Sequence, residues 1–132
     1  MTKGLHHVGL SVRNLDDTVR FFTDVLGWQE SGRDESYPRS AVSDGTSRLT
    51  LWQVSDDRDP AEFDRRHNIG LHHLAIEVES LEALHEFAEK IAAWPGANIE
   101  FLPEPMGQGP RHHLMFTEPG GIRLELVWPG EV

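Results

Sequence analysis

Leu5-His6-His7-Val8-Gly9-Leu10-Ser11-Val12 returns 66 residues later as Leu71-His72-His73-Leu74-Ala75-Ile76-Glu77-Val78. The echo runs on past the histidines. At the same offset Leu15 answers Leu81, Phe21 answers Phe87, Val25 answers Ile91 and Trp28 answers Trp94. A second echo, at an offset of 75, sets Arg48-Leu49-Thr50-Leu51 against Arg123-Leu124-Glu125-Leu126. A repeat of this length is a supersecondary unit that cannot bury its apolar face alone. The chain therefore reads as one α+β domain, residues 1–132, made of two tandem βαβββ modules. The first spans about 1–55, a connector 56–69, and the second 70–132. The expected architecture is a curled, cup-shaped mixed sheet with the helices outside.

Period-2 alternation carries the strands. In residues 5–12, Val8, Leu10 and Val12 fall on one side, with His7, Gly9 and Ser11 on the other. Asn14 caps a helix whose apolar positions Leu15, Val19, Phe22 and Leu26 precede a stop at Gly27. Further strands are expected over 28–33, 39–43 and 48–54. The second module repeats the plan, with strand 71–78, a helix over about 81–93 capped by Ser80, and strands 99–102, 112–117 and 122–128. Asp59-Pro60 reads as a short helix start inside the connector. The Pro/Gly-rich run 103–110 reads as a long loop, with the makings of a lid in Gly107, Gly109 and Pro110.

Composition narrows the partners. At 132 residues with a formal net charge of −10, the chain lacks the basic field that nucleic acid or an anionic membrane requires. Neither is expected as a partner. Cysteine is absent, which removes disulfides and thiolate metal sites and fits a reducing cytoplasm. No apolar signal segment precedes the first strand, and no run approaches the ~20 apolar residues of a membrane helix.

Alternation also picks out the chemistry. If the apolar residues of each strand face the helices, His7, His73, Thr50 and Glu125 share the opposite face. Two histidines and one carboxylate suit Fe, Mn, Ni or Zn, and with open positions remaining they form the ligand type of non-haem Fe(II) oxygenases. Glu125 stands between two leucines, where an unpaired carboxylate is costly to bury. Arg48 and Arg123 share the site face as candidates to neutralise an anionic substrate, and Trp52 offers an apolar wall for a planar one. His113, two residues before Met115 and on its face, is a candidate proton shuttle, since imidazole titrates near neutrality.

These paired modules, with His-Val and His-Leu at the first strands and Glu118-Pro119-Gly120-Gly121-Ile122-Arg123-Leu124-Glu125 closing the second, resemble the vicinal oxygen chelate superfamily. That superfamily holds glyoxalases, bleomycin-resistance proteins, extradiol dioxygenases, epimerases and fosfomycin-modifying enzymes. The resemblance spans essentially the whole chain and implies metal ligands at His7, His73 and Glu125. The family's fourth ligand position falls on Thr50, where glyoxalases and epimerases use Glu or Gln. Extradiol dioxygenases and fosfomycin-type transferases instead carry three ligands, usually with Tyr ten residues before the carboxylate, where Met115 stands here. The resemblance thus implies a metal-dependent enzyme acting on a small chelating molecule. Extradiol-type oxygenation with Fe(II) is the favoured reaction, with Mn, Ni or Zn as alternative metals. Thiol or water addition to a small electrophile, or non-catalytic binding of the bleomycin-resistance type, are the alternatives. A homodimer is expected.

Overall fold

A computed structural model describes residues 1–131, which form two compact units, the first ending at Ala61 and the second beginning at Glu62. In the first unit, strand β1 (Val8–Val12) leads into helix α1 (Leu15–Arg20), followed by β2 (Gln29–Asp34), β3 (Arg39–Ser43) and β4 (Arg48–Gln53). They form a four-stranded mixed sheet in the order β1-β4-β3-β2, with β1 parallel to β4 and the other pairs antiparallel. Asn14 accepts the Asp17 amide at 3.0 Å, which is the side-chain N-cap its position implies.

The helix expected to run to Leu26 is α-helical only to Arg20. Phe21–Val25 form a π-helical turn, closed by the Leu26 amide on the Phe21 carbonyl at 3.4 Å. The widened turn lets Phe21, Phe22 and Val25 all bury. Phe22 then meets Trp28 edge to face at 5.1 Å between ring centres. The core joins these rings to Leu10, Val12, Val19, Val42, Leu49 and Leu51, all buried.

The second unit repeats the topology with β5 (Leu74–Glu77), α2 (Leu81–Ala92), β6 (Asn98–Pro105), β7 (His112–Thr117) and β8 (Arg123–Trp128), in sheet order β5-β8-β7-β6. Ser80 caps α2 by accepting the Ala83 amide at 3.0 Å. Leu84, Ala88 and Ile91 of α2 and Leu114, Phe116, Leu124 and Leu126 of the sheet form its buried core. Glu118 is 1% exposed and holds the β7–β8 turn, accepting the amides of Gly120 at 2.7 Å and Ile122 at 3.0 Å.

Each unit is thus a βαβββ module, and the α+β expectation holds. Besides the shortened α1, three local expectations do not. Strands β1 and β5 start at Val8 and Leu74, not at Leu5 and Leu71, so both histidine pairs lie just ahead of their strands. In the parallel register Val8 faces Leu49 and Leu74 faces Leu124, so His7 and His73 would stand opposite Arg48 and Arg123, the first residues of β4 and β8. The ladder stops there. No helix forms at Asp59-Pro60. The polar turn lies further on, where Asp64 accepts the Arg66 amide at 2.9 Å and binds His67 Nδ1 at 2.7 Å. Strand β6 runs through Pro105, so the expected loop shrinks to a turn closed by the Met106 amide on the Arg111 carbonyl at 2.9 Å. Among the described residues no helix is long and apolar enough to cross a membrane.

Candidate functional site

In the first unit, the sheet face away from α1 carries Gly9, Ser11, Arg39, Ala41, Thr50 and Trp52, as the register of β1, β3 and β4 requires. Trp52 Nε1 donates to Thr50 Oγ1 at 3.0 Å. Tyr37 meets the Trp52 ring edge-on at 4.8 Å, and the Arg39 guanidinium lies 5.6 Å from its centre. The tryptophan proposed as a substrate wall is therefore already held on three sides. A Cβ on Gly9 would come within 3.2 Å of Thr50 Oγ1, so the missing side chain leaves that hydroxyl uncovered. Gln53, on the other face, accepts the Leu15 amide at 2.8 Å and serves the start of α1. His7 stands ahead of β1 with its Nδ1 2.9 Å from Nδ1 of His6. Arg48 is exposed at the start of β4, and among the described residues no hydrogen bond or ion pair engages its side chain.

The second unit gathers most of the candidate residues. Register pairs Met115 with Glu125 and Ala75 with Glu125, and puts His113 opposite Val127, one step along the same face. His113 thus reaches Glu125 diagonally across the β7–β8 pair. Its Nδ1 lies 2.5 Å from Glu125 Oε2. A carboxylate only accepts, so Nδ1 carries the proton and donates. The other oxygen, Oε1, lies 3.3 Å from His73 Nε2. Glu125 is buried at 6% exposure beside the equally buried Met115 thioether. Phe101 packs its ring 4.8 Å from that of His113. The cost of burying Glu125 is met in part by these two histidines. Ala75, small and directly across from Glu125, leaves the carboxylate clear on the β5 side, as Gly9 does for Thr50.

Arg123 is not a free cation. Its Nε and Nη2 bind Glu100 Oε1 and Oε2 at 2.7 and 2.9 Å, a bidentate pair. That bond holds the Glu100 carboxyl below its ordinary range and raises Arg123 further. A carboxylate lowered in this way contributes stability above its unfolded pKa, and the contribution is lost as pH falls through the lowered folded value. The remaining Nη1 lies 3.4 Å from Nδ1 of His72, and His72 Nδ1 lies 2.7 Å from Nδ1 of His73. Desolvation, then the neighbouring His73 and Arg123, hold His72 below the usual imidazole range. Neither Glu100 nor the pairing of His72 with Arg123 was visible in the sequence. Glu100 sits 23 residues from Arg123, on a strand with two register shifts.

Among the described residues no three His, Cys, Asp or Glu side chains converge as a complete metal cage. The pair His73 Nε2 and Glu125 Oε1 fits half of one. Two donors bound side by side at about 2.0–2.2 Å stand about 3 Å apart, and these stand 3.3 Å apart. Imidazole and carboxylate are the donor set of first-row divalent ions, and the second carboxylate oxygen is already tied, as ligating carboxylates usually are.

Two βαβββ modules, each led by a histidine pair and the second carrying a buried glutamate between histidines, define a class of proteins. A family model described as the Glyoxalase/Bleomycin resistance protein/Dioxygenase superfamily matches residues 4–126. The chain belongs to that superfamily. A 2-epi-5-epi-valiolone epimerase from an Actinomyces species is 28% identical over 145 residues, covering 93% of this chain and 78% of that protein. A glyoxylase/bleomycin resistance protein/dioxygenase domain from Frankia sp. EAN1pec shares the fold at a TM-score of 0.81 and 28% identity, over 99% of this chain and 94% of that one. A mutant of the fosfomycin resistance protein FosX from Listeria monocytogenes, complexed with Mn(II) and 1S,2S-dihydroxypropylphosphonic acid, shares it at 0.74 and 20% identity. That match covers 100% of this chain and 94% of the other.

Proposed function

We propose that the chain is a divalent-metal-dependent enzyme that moves a proton on a small molecule chelated through vicinal oxygens. His73 and Glu125 are ligands, His7 is a candidate ligand as the repeat counterpart of His73, and His113 is the acid/base group. The observation that carries this reading is the doubly engaged carboxylate, with Oε1 3.3 Å from His73 Nε2 and Oε2 2.5 Å from His113 Nδ1. When bound, the metal supplies Lewis-acid polarisation of the substrate oxygens, which acidifies the adjacent C–H. His113, protonated at Nδ1 and fixed by Glu125, keeps a lone pair at Nε2 to take that proton and return it. Phe101 and Met115 pack around the imidazole and carboxylate and exclude water from one side of the pair. Thr50 replaces the carboxylate or amide other members use, so the base role falls to His113. The epimerase relative supports this reading, since epimerisation is a redox-neutral proton transfer.

The test is solvent exchange. Under anaerobic conditions in D2O, Mn(II)-loaded protein is expected to put deuterium next to the carbonyl of small 2-hydroxy ketones or cyclic ketoses, followed by NMR. Absence of exchange across the panel with metal bound would overturn the reading. Extradiol-type oxygenation is the second reading, favoured by the two-histidine, one-carboxylate ligand type and by a histidine acid/base beside it. Oxygen consumption by the Fe(II)-loaded chain with catechols, absent with redox-inert Zn(II), would put that reading first.

Two further outcomes belong to this proposal. Thr50→Ala is expected to leave Mn(II) affinity unchanged in calorimetric titration, and Thr50→Glu to tighten it by adding a fourth donor. Lost binding in Thr50→Ala would make the threonine a ligand. We also expect a homodimer, because Leu5, Ile69 and Leu71 beside the histidine pairs leave apolar surface exposed, and β2 and β6 are unpaired sheet edges. A monomeric sedimentation mass at micromolar concentration would contradict it.

A further inference from the structure

On the first unit's sheet face, away from α1, a single hydroxyl has its direction fixed before any ligand arrives. We propose that Thr50 donates its hydroxyl proton to a carboxylate oxygen of a small molecule, that Arg48 answers the charge of that carboxylate, and that Trp52 is the positioning residue that keeps Thr50 a donor. The site is built from first-unit residues alone, so it stands whether or not the second unit binds a metal.

An indole N–H only donates, so the 3.0 Å contact between Trp52 Nε1 and Thr50 Oγ1 has one direction. That bond fills a lone pair of the hydroxyl and turns its proton away from the indole. Among the described residues nothing accepts the proton. The indole is held against turning to release it. Tyr37 meets its ring edge-on at 4.8 Å, and the Arg39 guanidinium lies 5.6 Å from the ring centre. Arg39 is itself anchored, donating to the Gly32 carbonyl at 3.3 Å with Asp34 at 3.7 Å. A free threonine hydroxyl rotates to suit a donor or an acceptor. This one is committed.

The backbone leaves that hydroxyl open from one side. Across from Thr50 stand Gly9 on β1 and Ala41 on β3. Ala41 is buried, whereas Gly9 is exposed. A Cβ on Gly9 would meet Thr50 Oγ1 at 3.2 Å and Trp52 Nε1 at 3.6 Å, so the glycine keeps a notch over the bond that a side chain would fill. Gly9 is not among the glycines with positive φ, so its backbone does not require glycine. Glycine inside a strand costs stability relative to alanine, and what it provides here is access. Arg48 lies two residues back on the same face, about 7 Å along the strand. It is exposed, with its side chain unengaged among the described residues. A carboxylate accepts at every lone pair and donates nothing, so it suits a committed donor and a free guanidinium together. An amide offers one oxygen and must turn its N–H groups toward one of the two donors. The second unit makes the contrast plain. Its equivalent row is Ala75, Glu125 and Met115, with an acceptor where the first unit has a donor.

The experiment uses the ¹⁵N-labelled full-length chain freed of metal with a chelator and dialysed, so that no ion can hold the probe. Benzoate is titrated and followed at the backbone amides of Gly9 and Thr50 and at the Trp52 indole N–H. A saturable shift is expected at all three, with benzamide binding about 10-fold more weakly. Thr50→Val is expected to weaken benzoate by about 10- to 100-fold, the range for a hydrogen bond to a charged group, and Thr50→Ser to restore it. Gly9→Ala is expected to match Thr50→Val with the dispersion of the amide spectrum unchanged, which separates a filled notch from a misfolded sheet. Trp52→Phe keeps a ring between Tyr37 and Arg39 but lets the hydroxyl turn, so it is expected to narrow the preference for benzoate over benzamide. A merely structural tryptophan would weaken both probes alike, and that result overturns its positioning role. No saturable shift with benzoate, or equal affinity in the parent, Thr50→Val and Gly9→Ala, overturns the inference as a whole. Neither result bears on Mn(II) binding by His73 and Glu125, which is measured separately.

Discussion

Asparagine in place of His113 is expected to slow solvent exchange into substrate by about 10²–10⁴-fold, the usual contribution of a positioned acid/base group. Metal should stay bound. The side-chain amide of His113→Asn can donate to Glu125 Oε2 as Nδ1 does, so the carboxylate keeps its orientation, while the base atom Nε2 is gone. Alanine at the same position removes both functions, and the freed Oε2 is expected to weaken Mn(II) binding by about 10-fold as well. The split between the two substitutions is the informative result. Full turnover in His113→Asn would remove His113 from the chemistry. Lost metal in that variant with turnover per bound metal unchanged would reduce it to a support for Glu125.

The sequence carried the modules further than it carried the site. The offset of 66 and the alternation of Leu10, Leu49, Leu51, Leu124 and Leu126 locate both sheets, and β3 and β7 begin and end where the alternation puts them. Alternation put His113 and Met115 on one face of their strand and the resemblance related Met115 to Glu125, and the β7–β8 register pairs Met115 with Glu125. What alternation could not supply was the diagonal that brings His113 Nδ1 onto Glu125 Oε2, since that depends on the registry of two strands joined by a turn around Glu118. Nor could it supply Glu100. Register shifts on either side of Phe101 break the period-2 rule in β6, so no face could be assigned there from sequence. The histidines themselves lie ahead of their strands, where alternation no longer applies. Alternation had chosen His7 and His73 by running each strand back to Leu5 and Leu71, and the shorter strands remove that basis, so their candidacy now rests on the repeat alone.

Arg123 shows how a residue type can mislead. On the site face it reads as an anion receptor, yet a bidentate carboxylate already answers its charge. A substrate anion would have to compete with Glu100, bound at 2.7 and 2.9 Å, for a planar fork that fits only one carboxylate at a time. Arg48, exposed and with its side chain unengaged among the described residues, is the better candidate for that role.

Replacing Glu125 with leucine should separate the cost of the site from its use. Glu125 lies in a strand whose neighbours Leu124 and Leu126 are fully buried, and it is itself 6% exposed. Removing one partner of a buried pair is destabilising when the other stays buried, but the two histidines left behind retain side-chain exposures of 15% for His113 and 33% for His73, enough to reach water. Metal-free Glu125→Leu is therefore expected to melt only modestly below the metal-free parent. Added metal widens the gap. At a concentration of about 100 times Kd, a ligand bound only by the folded state adds about 2.7 kcal/mol, and at roughly 4 °C per kcal/mol for a domain of this size that raises the parent's Tm by about 10 °C. Glu125→Leu should show no metal-dependent rise at all, because the anionic donor beside His73 is gone. Glu125→Gln, whose single neutral oxygen can face the position beside His73 or the Nδ1–H of His113 but not both, should fall between them. A metal-induced rise of parental size in Glu125→Leu, measured by calorimetry with Mn(II) and Zn(II), would show that the ion binds elsewhere and that the carboxylate is a buried structural partner of His113.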